Sequence, residues 1–184
     1  MEDPSILIFV IDWESRDSHI KFMNDPSYGP FKARLASLME GVHLHHITQP
    51  KTALLGLAPV MEVATFYDAE PTMLQNVERF AAALEKGNPE GFHGVVYGKV
   101  MEKIVRHAGD GKEDAEPGEA VVLLIGWDSK EIHLAFRETE LFKVRNSYFA
   151  SPVVNSPFAH SCSFTLDLSQ RRTIYSICSW NNLD

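Results

Sequence analysis

Short apolar stretches, separated by polar or glycine-containing segments, predict β-strands along most of the chain. The six predicted strands lie at about 6–13, 42–48, 60–67, 92–101, 120–127 and 158–166. Apolar residues at helical spacing between them predict amphipathic helices, because positions three and four apart share one helix face. The pattern is that of a protein in which strands and helices alternate.

The clearest helix is predicted between Pro71 and Gly87. Proline is tolerated at the first helical position, where its missing N–H has no partner in any case, and glycine is suited to the end of a helix. The expected buried stripe consists of Leu74, Val77, Phe80, Ala81 and Leu84. A polar, glycine-containing loop is predicted after the next strand, at 106–118.

An internal repeat relates the two strands that end in tryptophan. The segment Ile11-Asp12-Trp13-Glu14-Ser15, followed by His19 and Phe22, reappears 114 residues later without a gap. The second copy is Ile125-Gly126-Trp127-Asp128-Ser129, followed by His133 and Phe136. The same offset pairs His46 with His160. Matches that include tryptophan and histidine are rare by chance, so the repeat predicts two structurally similar units.

Each copy predicts a strand, a helix and a closing strand. Ser15 and Ser129 stand at the N-cap position, where a hydroxyl can accept a hydrogen bond from a free backbone N–H. A looser stretch then leads to the closing strand. Between the copies lies another β-α-β segment, so residues 58–168 follow the ferredoxin-like order β-α-β-β-α-β.

The predicted organisation is one complete unit and one half unit. Residues 1–57 form the half repeat, 58–168 the complete unit, and 169–184 a C-terminal extension with one more strand at 173–180 that could cover a sheet edge. We expect an α+β fold with ferredoxin-like antiparallel sheets and helices on one face. The uncovered sheet face needs a partner, which favours a homodimer. The missing half could come from a second chain, or the sequence could be a truncated form of a longer tandem protein.

Composition narrows the classes of function. The formal net charge of −8 opposes binding to phosphate backbones, so we expect no nucleic-acid partner. No apolar run approaches the length of a membrane span, and the acidic start does not resemble a signal peptide. The two cysteines, Cys162 and Cys178, form no CxxC motif and are expected to be reduced thiols in a cytoplasmic protein.

The pattern of an apolar strand, Trp-Asp/Glu-Ser, histidine and phenylalanine resembles the dimeric α/β-barrel superfamily. The likeness is to its antibiotic-biosynthesis-monooxygenase and stress-responsive branches, in a tandem form similar to fungal members. That resemblance implies cofactor-independent oxygenation or cyclisation, although haem-degrading members also exist. In polyketide cyclases of this superfamily a tyrosine and a histidine act, where this chain has Phe22 and Tyr28. The haem-degrading members have a longer Trp-to-His interval than Trp13 to His19.

The predicted catalytic residues lie in the complete unit. His133 and His160 are the predicted general bases, since imidazole titrates near neutral pH, and Tyr97 is an orienting donor. The predicted substrate-binding residues are Trp127, His93, Phe136, Phe158 and Tyr28. By strand alternation, His93 and Tyr97 are expected to share one face of their strand, opposite Phe92.

Several histidines and both tryptophans of the repeat could instead have structural roles. The histidine of each copy could anchor its helix to the strand end, His46 could be a core histidine, and each tryptophan could be a core anchor. His43 and His45 share a strand face in an HxH pattern, but no third metal ligand is evident at a characteristic spacing.

The function expected from the sequence is that of a cofactor-independent enzyme that oxygenates or cyclises a small aromatic or polyketide-like metabolite. The alternative is a non-catalytic protein that binds such a ligand or a partner in the same pocket. A haem-linked enzyme is a third possibility, which a Soret absorbance would reveal.

Overall fold

The computed structural model describes residues 6–36, 39–48, 58–105, 116–146 and 172–180. In chain order the elements are β1 (Ile6–Trp13), α1 (Arg16–Met23), α2 (Tyr28–Ala36), β2 (Met39–Thr48), β3 (Val60–Phe66), α3 (Met73–Gly87), β4 (Phe92–Lys99), β5 (Val121–Trp127), α4 (Lys130–Arg137), α5 (Glu140–Asn146) and β6 (Arg172–Trp180). Strands and helices alternate as predicted, and the α+β class is confirmed. The predicted strand at 158–166 lies outside the described residues.

The sheet formed by β3, β5 and β4 has the topology predicted for the complete unit. Its strand order is β3-β5-β4, and both pairings are antiparallel. The β3-α3-β4 crossover leaves a gap that β5 fills, which is the split β-α-β arrangement of a ferredoxin-like unit. Every residue of β5 is buried, as expected for a central strand that is covered on both faces.

The other sheet differs from the prediction in two respects. Its order is β1-β6-β2, and β6 pairs in parallel with both neighbours, so the expected antiparallel arrangement is wrong here. The crossover through α1 and α2 makes β1 and β2 parallel and leaves room for one strand between them. The C-terminal strand fills that central position instead of covering an edge.

The two sheets pack face to face. Ile47 of β2 is buried with residues of β3, β4 and β5, and Ile8 and Val10 of β1 pack against the same cluster. Ile47 also forms an isolated antiparallel bridge with Val100, directly after β4. The buried members of this inter-sheet core are Ile47, Val63, Val96, Val100, Ala120, Val122 and Leu124.

A second core lies between the β3-β5-β4 sheet and its helices. Its buried members are Ala64, Val77, Phe80, Leu84, Val121, Leu123, Ile125, Trp127 and Phe136. Helix α3 supplies three of them, and α4 supplies Phe136. Both sheets are open within the described part of the chain and do not close into a barrel.

Helix α3 departs slightly from its predicted pattern. It begins at Met73 instead of Pro71, and Leu74 is 38% exposed instead of buried. The period of 3.6 residues places Met73 nearer the centre of the buried stripe, and Met73 packs against the core in its place. At the other end, Asn88 is in the left-handed conformation and its N–H donates to Leu84.

Two further local features differ from the sequence-based expectation. The looser stretch after each capped helix contains a second helix, α2 or α5. In β4, Phe92 packs on the same side as Tyr97, because an irregularity between Phe92 and Gly94 shifts the alternation by one residue.

The described helices include none that is long and apolar enough to cross a membrane.

Candidate functional site

Three polar side chains form a connected chain at the edge of β2. Nδ1 of His19 lies 3.0 Å from Nε2 of His46. On its other side, Nδ1 of His46 lies 2.5 Å from Oε1 of Glu102. We call His19, His46 and Glu102 the relay.

Local structure fixes both ends of the relay. Ser15 accepts a hydrogen bond from Ser18 N–H and thereby starts α1, so His19 lies in the first turn, over the end of β1. At the other end, the bridge between Ile47 and Val100 brings the chain after β4 alongside β2. The backbone N–H of His46 donates to Glu102 over 2.9 Å, which holds the carboxylate in place.

The partners of each nitrogen determine where the protons lie. A carboxylate only accepts, so Nδ1 of His46 carries a proton and, in the neutral ring, Nε2 accepts from His19 Nδ1–H. Nε2 of His19 is then the unprotonated nitrogen, able to take a proton from a bound molecule. When it does, the Nδ1 proton of His19 can pass to His46, where Glu102 stabilises the resulting imidazolium.

Burial and neighbouring charges tune these groups. Burial, together with the positive charge that His46 can carry, lowers the pKa of His19, which keeps its ring neutral near pH 7. Burial alone would raise the pKa of Glu102, but the hydrogen bonds from the backbone and ring of His46 and the charge of that ring outweigh it and lower the pKa. The relay thus combines a neutral base with an ionised carboxylate.

Aromatic rings lead from the relay to the surface. The Trp13 ring stacks on His19 with centroids 4.6 Å apart, and Phe22 lies 5.5 Å from Trp13. Tyr28 and Phe31 then contact Phe22 edge-on at 5.4 and 5.5 Å, and Phe31 is 40% exposed. We call Trp13, Phe22, Tyr28 and Phe31 the aromatic cluster. Tyr28, a predicted substrate-binding residue, therefore belongs to a cluster beside His19.

The second copy of the repeat builds a similar but closed arrangement. Trp127 stacks on His133 with an interplanar angle of 23°, close to the 21° between Trp13 and His19. The ring centroid of Phe136 lies 5.0 Å from that of Trp127, compared with 5.5 Å between Phe22 and Trp13. Glu62 of β3 accepts a hydrogen bond from Trp127 Nε1, and its Oε2 lies 3.3 Å from His133 Nε2 without hydrogen-bond alignment. Trp127 is fully buried and His133 is 3% exposed.

The other predicted site residues are distributed over the complete unit. Nε2 of His93 lies 2.5 Å from the carboxylate of Asp128, on an exposed part of the surface. Tyr97 packs against the core beneath α3, and burial, aided by the charges of Glu78 and Glu85, raises its pKa. His160 and Phe158 lie outside the described residues.

His43 and His45 lie on the strand face that carries Ile47. Nε2 of His45 is buried and hydrogen-bonds no described residue, and burial lowers the pKa of this ring despite the opposing charge of Glu102. Among the residues that the structure describes, no three potential metal ligands are grouped together.

Two functional candidates, Glu62 and Glu102, were missed by the sequence analysis. Glu102 follows β4 and is 56 residues from His46, while Glu62 is 65 residues from Trp127. Neither belongs to the repeated segment. The only signal in the sequence was the position of Glu62 inside an apolar strand, where a carboxylate needs a partner.

Comparisons with known proteins provide little beyond these observations. No protein-family model and no curated protein matches the chain. A solved structure from Fusobacterium nucleatum, described as a candidate monooxygenase, is similar to it with 14% identity and a TM-score of 0.45, covering 85% of this chain and 69% of that one. An anthrone oxidase-like protein is similar with 16% identity and a TM-score of 0.46, covering 82% of this chain and 67% of that one. Likenesses at this level do not identify an activity.

Proposed function

We propose that this protein is a cofactor-independent enzyme that removes a proton from a small aromatic or polyketide-like metabolite and thereby oxygenates or cyclises it. The observation that carries the proposal is the relay of His19, His46 and Glu102, in which the imidazole of His19 is buried and neutral beside an aromatic cluster. Histidine pairs linked to a carboxylate are suited to general acid–base chemistry.

The aromatic cluster supports an aromatic substrate. Trp13, Phe22, Tyr28 and Phe31 present ring faces and edges to one another at stacking distances. A flat, electron-rich ring can insert among such side chains because its face and edge have complementary charge distributions. The outer rings of this cluster are partly exposed, which places its outer end at the protein surface.

The substrate itself supplies the reactivity in this scheme. Nε2 of His19 takes the proton of a phenol or enol, and the resulting anion is nucleophilic at carbon. In ring closure, that carbon attacks a carbonyl of the same molecule and water is later lost. In oxygenation, the carbanion of a ring methylene adds to dioxygen, and the hydroperoxide loses water to leave a carbonyl. Dioxygen is the oxidant and is reduced to the level of water.

The prediction that His133, His160 and Tyr97 form the catalytic set of the complete unit remains a second proposal for the same chemistry. His133 is held between Trp127 and Glu62 and is nearly fully buried, which favours an anchoring role. The relay in the N-terminal part is therefore the preferred location of the base.

The direct test is a turnover screen with phenolic substrates. The purified protein is incubated with polyhydroxylated naphthalenes and anthrones while dioxygen uptake and product mass are recorded between pH 5 and 9. We expect pH-dependent turnover that the His46→Ala variant loses. Compounds that bind to the protein and are recovered unchanged would instead indicate the alternative, a non-catalytic binding protein.

A further inference from the structure

The two copies of the repeat differ in how the tryptophan N–H is used. In the second copy, Oε2 of Glu62 lies 3.1 Å from Nε1 of Trp127 and 3.3 Å from Nε2 of His133. A single anionic oxygen thus occupies the position between the indole N–H and the histidine. The indole nitrogen can only donate, so this position is specific for an acceptor.

In the first copy no described residue occupies that position. Nε1 of Trp13 is buried and has no hydrogen-bond partner among the described residues. Ile11 and Ile125 are equivalent positions of the repeat. In the β3-β5-β4 sheet Ile125 is paired with Glu62, whereas in the β1-β6-β2 sheet Ile11 is paired with Cys178. Nδ1 of the stacked His19 ring lies within hydrogen-bond distance of His46. Nε2 of His19 therefore corresponds to Nε2 of His133, the nitrogen that lies near Glu62.

The first copy is also the more open of the two. Trp127 is fully buried, whereas Trp13 is partly exposed. Trp13 also belongs to the aromatic cluster, which reaches the surface at Phe31. At that outer end the ammonium group of Lys32 lies 5.5 Å from the ring centroid of Tyr28. A buried N–H is rarely left without an acceptor in a native protein, so an external acceptor is expected here.

We propose that Trp13 Nε1 and His19 Nε2 bind an anionic oxygen attached to the aromatic ring of a ligand, at the position that corresponds to that of Glu62 in the second copy. This inference rests on the proposed function and specifies the class of its substrate, an aromatic compound with an acidic oxygen. For a phenol, the proton moves from the hydroxyl to His19 Nε2, and the oxygen keeps the electron pair and accepts a hydrogen bond from Trp13. Trp13 is then the donor that stabilises the developing phenolate.

Binding of 2-naphthoate, measured by calorimetry at pH 7, tests this assignment without turnover. The carboxylate brings no proton of its own, so His19 Nε2 takes one from the buffer when 2-naphthoate binds. The wild-type protein should bind 2-naphthoate more tightly than the neutral amide of the same ring. The Trp13→Phe variant, which keeps an aromatic ring and removes the N–H, should bind 2-naphthoate on the order of 10- to 100-fold more weakly, as expected for the loss of a hydrogen bond to a charged group. Trp127→Phe is the matched comparison, because its N–H already donates to Glu62.

Equal affinity for the acid and the amide, or equal affinity in wild type and Trp13→Phe, would overturn the assignment. So would a loss confined to Trp127→Phe. A second arm with 2-naphthol separates the sources of the oxygen, since the red-shifted absorbance of naphtholate in the complex at pH 7 would show that the hydroxyl proton has moved to the protein. These outcomes are independent of turnover, so the inference can fail while the proposed function survives the turnover screen.

Nuclear magnetic resonance of the wild-type protein gives the same information if Trp13→Phe does not fold. The chain has three tryptophans, so its indole N–H region holds three resonances. Trp127→Phe and Trp180→Phe assign the Trp13 signal by elimination. Addition of 2-naphthoate should move that signal downfield, and an unmoved Trp13 signal at saturation would contradict the proposal.

Discussion

Nδ1 of His19 and Nε2 of His46 lie 3.0 Å apart, so two imidazole rings, one from α1 and one from β2, share a single proton. The carboxylate of Glu102 orients the outer ring through its Nδ1 atom. This pairing joins the first turn of a helix to a strand edge. The position of that edge is fixed by packing against the other sheet.

Replacing Glu102 by Gln should lower turnover by roughly 10- to 100-fold, less than the ~10²–10⁴-fold that a general base contributes. The amide keeps the size of the side chain but removes the charge that stabilises a protonated His46. The acid limb of the pH–rate profile should also move to lower pH, because the relay becomes less basic. An unchanged profile would show that Glu102 is only a structural partner of β2.

Replacing His45 by Leu should flatten the pH dependence of stability. Burial lowers the pKa of His45 below 6.5, so the unfolded chain binds its proton more readily than the folded one. The stability contribution of the neutral ring is therefore present above pH 6.5 and is lost as pH falls through the lower folded-state pKa. His19 acts in the same direction and remains in the variant.

For His45→Leu we also expect a gain of about 1 kcal/mol in the free energy of unfolding at pH 5.5, since the substitution removes a buried polar atom that no described residue hydrogen-bonds. Urea denaturation at pH 5.5 and pH 7.5 measures both effects. Parallel curves for wild type and variant would contradict the assignment of this pH dependence to His45.

Replacing Glu62 by Ala should destabilise the protein by about 1–3 kcal/mol, because the buried N–H of Trp127 loses its acceptor. Glu62→Gln, which keeps an acceptor oxygen, is the matched control and should retain most of the stability. Added acetate should raise the melting temperature of Glu62→Ala more than that of wild type, by filling the vacated position. The absence of any such difference would argue that Glu62 does not bridge Trp127 and His133.

Gly98 marks the close approach of the two sheets. A Cβ at this position would lie 2.5 Å from the carbonyl oxygen of Thr48, a backbone atom that can move only with β2. Gly98→Ala should therefore destabilise the fold by more than 1 kcal/mol, roughly the scale of overpacking, and disturb the relay. Gly29→Ala has no atom within 4 Å of its Cβ and should be neutral or slightly stabilising in α2. Comparable unfolding midpoints for the two variants would contradict the inter-sheet contact.

Local patterns in the sequence predicted most of the fold. The apolar strands, the serine caps of α1 and α4 and the buried stripe of α3 depend on residues a few positions apart. The repeat also pointed to a similar local structure around each tryptophan and its histidine, although the sequence alone did not separate anchoring from catalysis. The central position of β6 could not be read in this way, because it depends on pairing with strands at the opposite end of the chain.

The contacts of the candidate site could not be predicted from local patterns either, because they join residues that are far apart in the chain. The repeat singled out His19 and His46, but their contact depends on how α1 packs over β2. Glu102 enters the relay only through the bridge between Ile47 and Val100. The irregularity after Phe92 likewise moved this side chain to the face opposite to the expected one, since one unpaired residue inverts a period of two.

The most direct test of the account is kcat/KM of His19→Asn with a phenolic substrate that the wild-type protein turns over. The relay predicts a loss of about 10²–10⁴-fold, because His19 Nε2 is the atom that receives the proton. His133→Asn, measured in parallel, should chiefly lower stability. Full activity in His19→Asn, or a loss of activity confined to His133→Asn, would contradict the account and place the base in the complete unit.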